Sequence, residues 1–112
     1  MVAPLPPGIS IEPVFLIEAT YAPDAAETRT PFRARHAARL LELRDAGVVI
    51  EAGAYSDVSA TILLVRAVDA EAAAEVARQD VYMRNGVWVE LRVRPFGRVC
   101  RSDELPGPVA AG

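Results

Sequence analysis

The chain has 112 residues, of which 52% are hydrophobic and 24% charged, enough for one domain around one core and too few for two comfortable ones. Its 15 acidic and 12 basic residues give a net charge of −3, and the two signs are interspersed, so there is no basic footprint for nucleic acid or anionic lipid. A single cysteine, Cys100, excludes a disulfide framework or a cysteine zinc cluster within one protomer, and no apolar run approaches the roughly 20 residues of a membrane span.

The first residues, MVAPLPPGIS, have neither a basic start nor a secretory apolar core, so a cytoplasmic location is expected. Prolines cluster at this end, and the chain closes on RSDELPGPVAAG. Residues 1–12 and 101–112 are therefore expected to be irregular or flexible tails around a folded unit at residues 13–100.

Within that unit VFLIEATY, residues 14–21, is rich in β-branched and aromatic residues and stops at Ala22-Pro23, which predicts a strand running into a loop. Thr30-Pro31 supplies an N-cap and first-turn proline. Phe32, Ala37, Leu40, Leu41 and Leu43 then keep helical spacing up to Gly47, with Arg35, Arg39 and Glu42 on the solvated side. VVIEAGAY (48–55) and ATILLVRA (60–67) predict two strands joined by the polar turn SDVS, an antiparallel hairpin. Asp69 is placed to cap the helix DAEAAAEVARQ. VWVELRVR (87–94) alternates strictly and closes the unit as a fourth strand.

The order βαββαβ is that of the ferredoxin-like α+β fold, a four-stranded antiparallel sheet with two helices on one face. Alternation along the last strand places Val87, Val89, Leu91 and Val93 toward the helices and turns Trp88, Glu90 and Arg92 outward. The first and third strands carry apolar residues on both sides: Leu16 and Leu64 face opposite to Ile17 and Leu63. A bare sheet face of this kind predicts a homodimer packed sheet to sheet, through the face that bears Trp88.

The one histidine, His36, lies four residues after Phe32 and four before Leu40, on the apolar stripe of the first predicted helix. Two readings follow: a core histidine with satisfied ring nitrogens, or a general acid–base group with a carboxylate partner in a cavity. Asp80 is the candidate partner. It sits in RQDVYMRNGVW with Tyr82 and Arg84, between the second helix and the last strand, where it can orient an imidazole or simply cap a turn. Asp45 is a weaker candidate, a quarter-turn off the stripe. Arg33, three residues before His36, can reach a ligand carboxylate. Gly53, inside a strand, marks a bulge, a packing constraint or a close approach of ligand. Cys100 has no second cysteine or adjacent histidine to activate it. No Walker loop, dinucleotide fingerprint or His/Cys metal spacing is present, so no cofactor or metal is expected.

Together RARHAARLLELRDAGVVIEAGAYSD, QDVYMRNG and the closing VRPFGRV resemble the YciI-like (YCII-related) family from the first strand to about Val99. The carrying elements are Arg33 with His36, Ala52-Gly53 on the second strand, and QDVYMRNG in place of the family's "ADPY…G". Two departures stand out: Val81 replaces the proline of "DPY", and Ala54 replaces the proline after "aG". The resemblance implies a dimeric α+β barrel and a His–Asp pair facing a pocket, carried by position onto His36 and Asp80, with Arg33, Gly53 and Tyr82 beside them.

It also implies a cofactor-free lyase, isomerase or cyclase acting on a small lactone- or carbonyl-containing compound. His36 would move a proton, Asp80 would orient the ring, Arg33 would hold a carboxylate or developing oxyanion, and Tyr82 would donate a hydrogen bond. The alternatives are a non-catalytic small-molecule-binding or accessory dimer and a cofactor-free oxygenase of the same superfold. Fold alone does not decide among them.

Overall fold

The computed structural model describes residues 4–106. The outer parts of the two predicted tails, residues 1–3 and 107–112, lie outside the described residues. Four strands, β1 (Ile9–Tyr21), β2 (Val49–Ala54), β3 (Ala60–Val65) and β4 (Trp88–Arg101), form one antiparallel sheet in the order β2-β3-β1-β4. Four helices join them: α1 (Ala25–Thr28), α2 (Arg33–Asp45), α3 (Ala70–Arg78) and α4 (Val81–Arg84). With the two long helices α2 and α3 each linking a strand to the next, this is the ferredoxin-like α+β arrangement.

The helices are set by local chemistry. The segment expected to be loop after Pro23 contains the short α1, and Thr30-Pro31-Phe32 is a separate 3₁₀ turn, so Thr30 does not cap α2. At the other end, Gly47 takes φ +79° and lets the Gly47 and Val48 amides donate back to the carbonyls of Arg44 and Leu43, 3.0 and 2.9 Å away. That is a glycine-terminated helix end satisfying its last carbonyls. Asp69 accepts the Ala72 amide at 2.8 Å and starts α3 as expected.

Ile17, Ala19, Leu63, Val65 and Val49 make the core with Ala73 and Ala77 of α3, all nearly solvent-free. Trp88 belongs to it too, which corrects the outward orientation expected from strict alternation. Tyr21 pairs with Trp88 while Thr20 pairs with Glu90, so β4 carries one extra residue, Val89. A bulge of one residue inverts the alternation beyond it. Trp88, Leu91 and Val93 therefore share the helix-covered face, and Val89 is exposed.

The opposite face bears Leu16, Ile62, Leu64 and Phe96 around a hollow of about 370 Å³. Glu18 pairs with Arg92, and Thr20 with Glu90, on the neighbouring strands. The face is thus apolar toward β3 and charged toward one end of β4, and Trp88 plays no part in it.

Both outer strands of the sequence are longer than expected. Residues 9–13 extend β1 and residues 95–101 extend β4, pairing from Ile9↔Arg101 to Pro13↔Gly97. Beyond Phe15, toward Ile9, this two-stranded arm has no third neighbour among the described residues, so Pro13 can lack an amide hydrogen there. At Gly97 a Cβ would come within 2.8 Å of Ile11 Cγ2, so the two strands approach where a side chain would not fit. Glu12, 5% exposed, anchors the arm: Arg66 Nε and Arg98 Nη1 donate to its carboxylate at 2.7 and 3.1 Å.

Candidate functional site

His36 is the one buried residue of α2, 8% exposed. The helix places it between Phe32 and Leu40, which pack on the core. Its ring lies on that of Tyr82, with centroids 3.7 Å apart and planes 10° from parallel, and the Trp88 ring meets it edge-on at 5.2 Å. Two aromatic walls thus hold the imidazole in one plane.

Asp80 closes the third side. It is the N-cap of α4, and its Oδ1 accepts both the Tyr82 amide at 2.9 Å and His36 Nδ1 at 2.7 Å. Capping a turn and orienting an imidazole, which competed as explanations of this residue, are performed by the same oxygen atom. Oδ2 accepts Arg39 Nη1 at 3.0 Å, and Arg39 Nη2 donates to the Val76 carbonyl at 2.8 Å. Burial pushes the Asp80 carboxyl up. The hydrogen bonds from His36 and the Tyr82 amide, the charge of His36 and the bond from Arg39 outweigh it, and the group lies below its ordinary value. Because a carboxylate only accepts, Nδ1 carries the hydrogen, so in the neutral ring the lone pair is the one on Nε2. Nε2 makes no hydrogen bond among the described residues, and no fully buried side-chain polar atom there lacks a partner, so Nε2 is open to solvent.

The space beside the ring is a cavity of about 220 Å³, with Tyr21, Arg29, Arg33, His36, Thr61 and Tyr82 on its polar side. Leu40, Ala37, Ala52 and Ala54 give it an apolar wall. Burial, Tyr21 and Asp80 push the Tyr82 hydroxyl up, against the pull of Arg29 and Arg33, so it stays an O–H.

All five residues singled out in the sequence, His36, Asp80, Arg33, Gly53 and Tyr82, come together, though in different ways. Arg33 is exposed at the rim. Gly53 lines the cavity, but a Cβ there would meet nothing within 4 Å, and the irregularity of β2 falls between Val49 and Glu51. Neither a bulge nor tight packing accounts for this glycine. Asp45 ends α2, away from the cavity.

Arg39, expected on the solvated side of the helix, is a correction: it turns in to Asp80, as its position one turn after His36 allows. Tyr21, Thr61 and Arg29 were not singled out by sequence. Tyr21 stands out in the sequence only as the last residue of the first predicted strand. Among the described residues no group of three or more His, Cys, Asp or Glu side chains could hold a metal ion, and no helix is long and apolar enough to cross a membrane.

No curated protein matches the chain in sequence. Among solved structures it is similar to 5-chloro-2-hydroxyhydroquinone dehydrochlorinase from Burkholderia phenoliruptrix AC1100, in complex with 2,5-dihydroxybenzoquinone. The TM-score is 0.63 at 19% identity, over 72% of this chain and 90% of that one, a likeness of fold. The YCII-related domain matches residues 14–97, three-quarters of the length, and the chain therefore belongs to the YCII-related family.

Proposed function

We propose that the protein is a cofactor-free enzyme of lyase, isomerase or cyclase type that uses His36 and Asp80 for general acid–base chemistry on a small carbonyl- or lactone-containing compound. The observation that carries this reading is the double acceptance at Asp80 Oδ1. It fixes the Nδ1–H tautomer and leaves Nε2 as the base on the wall of a cavity. Asp80 orients the ring and stabilises the imidazolium that forms. Arg33 and Arg29 at the rim hold a carboxylate or a developing oxyanion, and Tyr82 donates a hydrogen bond. The enzymatic activity of a structural neighbour on a small ring compound agrees with this class.

The finer elements of the proposal include a homodimer covering the open face of Leu16, Ile62, Leu64 and Phe96. A cytoplasmic location and the absence of nucleic-acid and membrane partners belong to the same reading.

The test is a turnover screen over small lactones, β-keto acids and hydroxyhydroquinones, 5-chloro-2-hydroxyhydroquinone included. Any activity found is then measured in His36→Gln and Asp80→Asn. Loss of a general base lowers turnover by about 100- to 10,000-fold in His36→Gln, and a mis-set tautomer gives a smaller loss in Asp80→Asn. Wild-type turnover by a folded His36→Gln protein overturns the catalytic role. Binding without turnover of any of these compounds places the protein with non-catalytic binding dimers.

A further inference from the structure

Beneath the cavity runs a short chain of hydrogen bonds that the His36–Asp80 pair does not use. Trp88 Nε1 is 3.3 Å from Thr61 Oγ1, and Thr61 Oγ1 donates to the Tyr21 hydroxyl at 3.0 Å. All three residues are buried, with Trp88 and Thr61 at 1% and 2% exposure and Tyr21 at 6%.

The chain runs one way: the Trp88 indole N–H, which can only donate, occupies one of the two lone pairs of Thr61 Oγ1, and the geometry at Thr61 directs its single hydroxyl hydrogen to Tyr21. Tyr21 Oη thus accepts from below and still owns its hydrogen, which makes no hydrogen bond among the described residues. Tyr21 also lines the cavity that His36 faces, and the Arg29 guanidinium stands over its ring at 6.0 Å.

We infer that Tyr21 presents a directed O–H donor to an oxygen of the bound compound, with Thr61 and Trp88 as the positioning residues that set its direction. The inference rests on the cavity being the ligand site of the preceding section and adds which oxygen chemistry it selects. When His36 Nε2 takes a proton from carbon or oxygen, the N–H bond forms as the C–H or O–H bond breaks. The electron pair left behind moves onto an oxygen, as enolate or phenolate. A buried donor that is already oriented stabilises that charge without reorganising. The site therefore suits a monocyclic compound whose oxygen becomes anionic. A cavity of about 150 Å³ is enough to admit benzene, and this one is about 220 Å³.

The test uses 4-nitrophenolate as the oxyanion probe, with 4-nitroanisole as its neutral counterpart. Calorimetric titration of wild type should show tighter binding of the phenolate. Tyr21→Phe should weaken the phenolate about ten- to hundredfold, the worth of a hydrogen bond to a charged group, and leave the anisole within about twofold. Thr61→Val retains the phenol but frees its direction, and should lower the ratio of phenolate to anisole affinity by a smaller factor. A purely structural role would weaken both probes together. If Tyr21→Phe is unstable because the Thr61 hydroxyl is orphaned, the triple variant Tyr21→Phe/Thr61→Val/Trp88→Phe, which removes every polar member of the chain together, carries the same expectation. An unchanged phenolate preference in Tyr21→Phe overturns the role of Tyr21 and leaves the cavity a ligand site. Wild type that binds neither probe at millimolar concentration overturns both.

Discussion

Tyr82 fixes His36 twice, once through its ring and once through its backbone. The two rings lie 3.7 Å apart and nearly parallel, while the Tyr82 amide shares Asp80 Oδ1 with His36 Nδ1. The ring sets the plane of the imidazole, and the amide sets the position of its partner. Tyr82→Phe keeps both and should leave stability within about 1 kcal/mol of wild type, since the phenol oxygen makes no hydrogen bond among the described residues. Tyr82→Leu keeps the amide but loses the stack, and should cost about 0.5–1.5 kcal/mol for each aromatic pair beyond the lost area. Because His36 is the only histidine, its carbon-bound ring protons are directly identifiable by NMR. They should keep their ring-current shift in Tyr82→Phe and lose the part contributed by the stacked ring in Tyr82→Leu, with only that of Trp88 remaining.

The lowered position of the Asp80 carboxyl makes its contribution to stability depend on pH with a definite sign. A carboxylate that ionises more readily in the folded chain binds fewer protons there than in the unfolded chain. It stabilises fully above the unfolded value of about 3.9, and the contribution is lost as pH falls through the lower folded value. Asp80→Asn should therefore cost about 1.5–3 kcal/mol near neutrality, from bonds made to a charged group. The difference from wild type should shrink in urea titrations carried out below about pH 4. A constant difference down to the acid limit would show that Asp80 acts through shape and capping alone.

Strand and helix order was legible in the sequence because period and capping chemistry agree: the β-branched runs, Asp69 before alanine-rich helix, and Gly47 after the leucines are each local signals. The orientation of Trp88 was not, because the bulge at Val89 exists only through pairing with Thr20 and Tyr21, distant in the chain. For the same reason Arg39 read as a solvated arginine; its partner Asp80 lies 41 residues away. Sequence position offered Asp80 as a partner for His36, but spacing favoured a core histidine and a turn-capping aspartate, and it was the family resemblance that raised the pairing above them. Tyr21 carried no signal beyond its place at the end of the first predicted strand, because its role depends on which way two other side chains donate.

The outer end of the β1–β4 arm tests another long-range feature. Residues up to Glu12 read as an irregular tail, yet Ile9 and Ser10 pair with Arg101 and Cys100, and the Gly8 carbonyl accepts the Ser102 amide at 2.9 Å. Ser10 and Ser102 also share a hydroxyl contact of 2.6 Å. Removing residues 1–10 deletes these bonds while leaving the Glu12 ion pairs in place. At roughly 0.5–1.5 kcal/mol each and largely exposed, they should sum to a loss of about 1–2 kcal/mol, and hydrogen exchange should quicken at the Ser102 amide. Removing residues 1–5 should change neither. Unchanged exchange after the longer deletion would show that the arm is held from Glu12 inward.

The open face of the sheet provides the last prediction. Leu16 and Leu64 are direct cross-strand partners there, joined by Ile62 and Phe96 around the hollow, with no helix or further strand of the described residues paired above them. If a second copy covers the face, the chain should run in light scattering at twice its own mass, with a thermal midpoint that rises with concentration. Leu64→Asp separates the two cases. On a sheet face open to water an aspartate costs on the order of 1 kcal/mol through strand propensity and leaves the mass unchanged. In a sheet-to-sheet interface the same carboxylate has no water and no partner, a penalty of several kcal/mol that dissociates or unfolds the protein. Val68→Asp, at a position 93% exposed, should do neither and serves as the control. A compact wild-type monomer at micromolar concentration, indifferent to Leu64→Asp, would mean that the apolar half of this face meets water in the native protein.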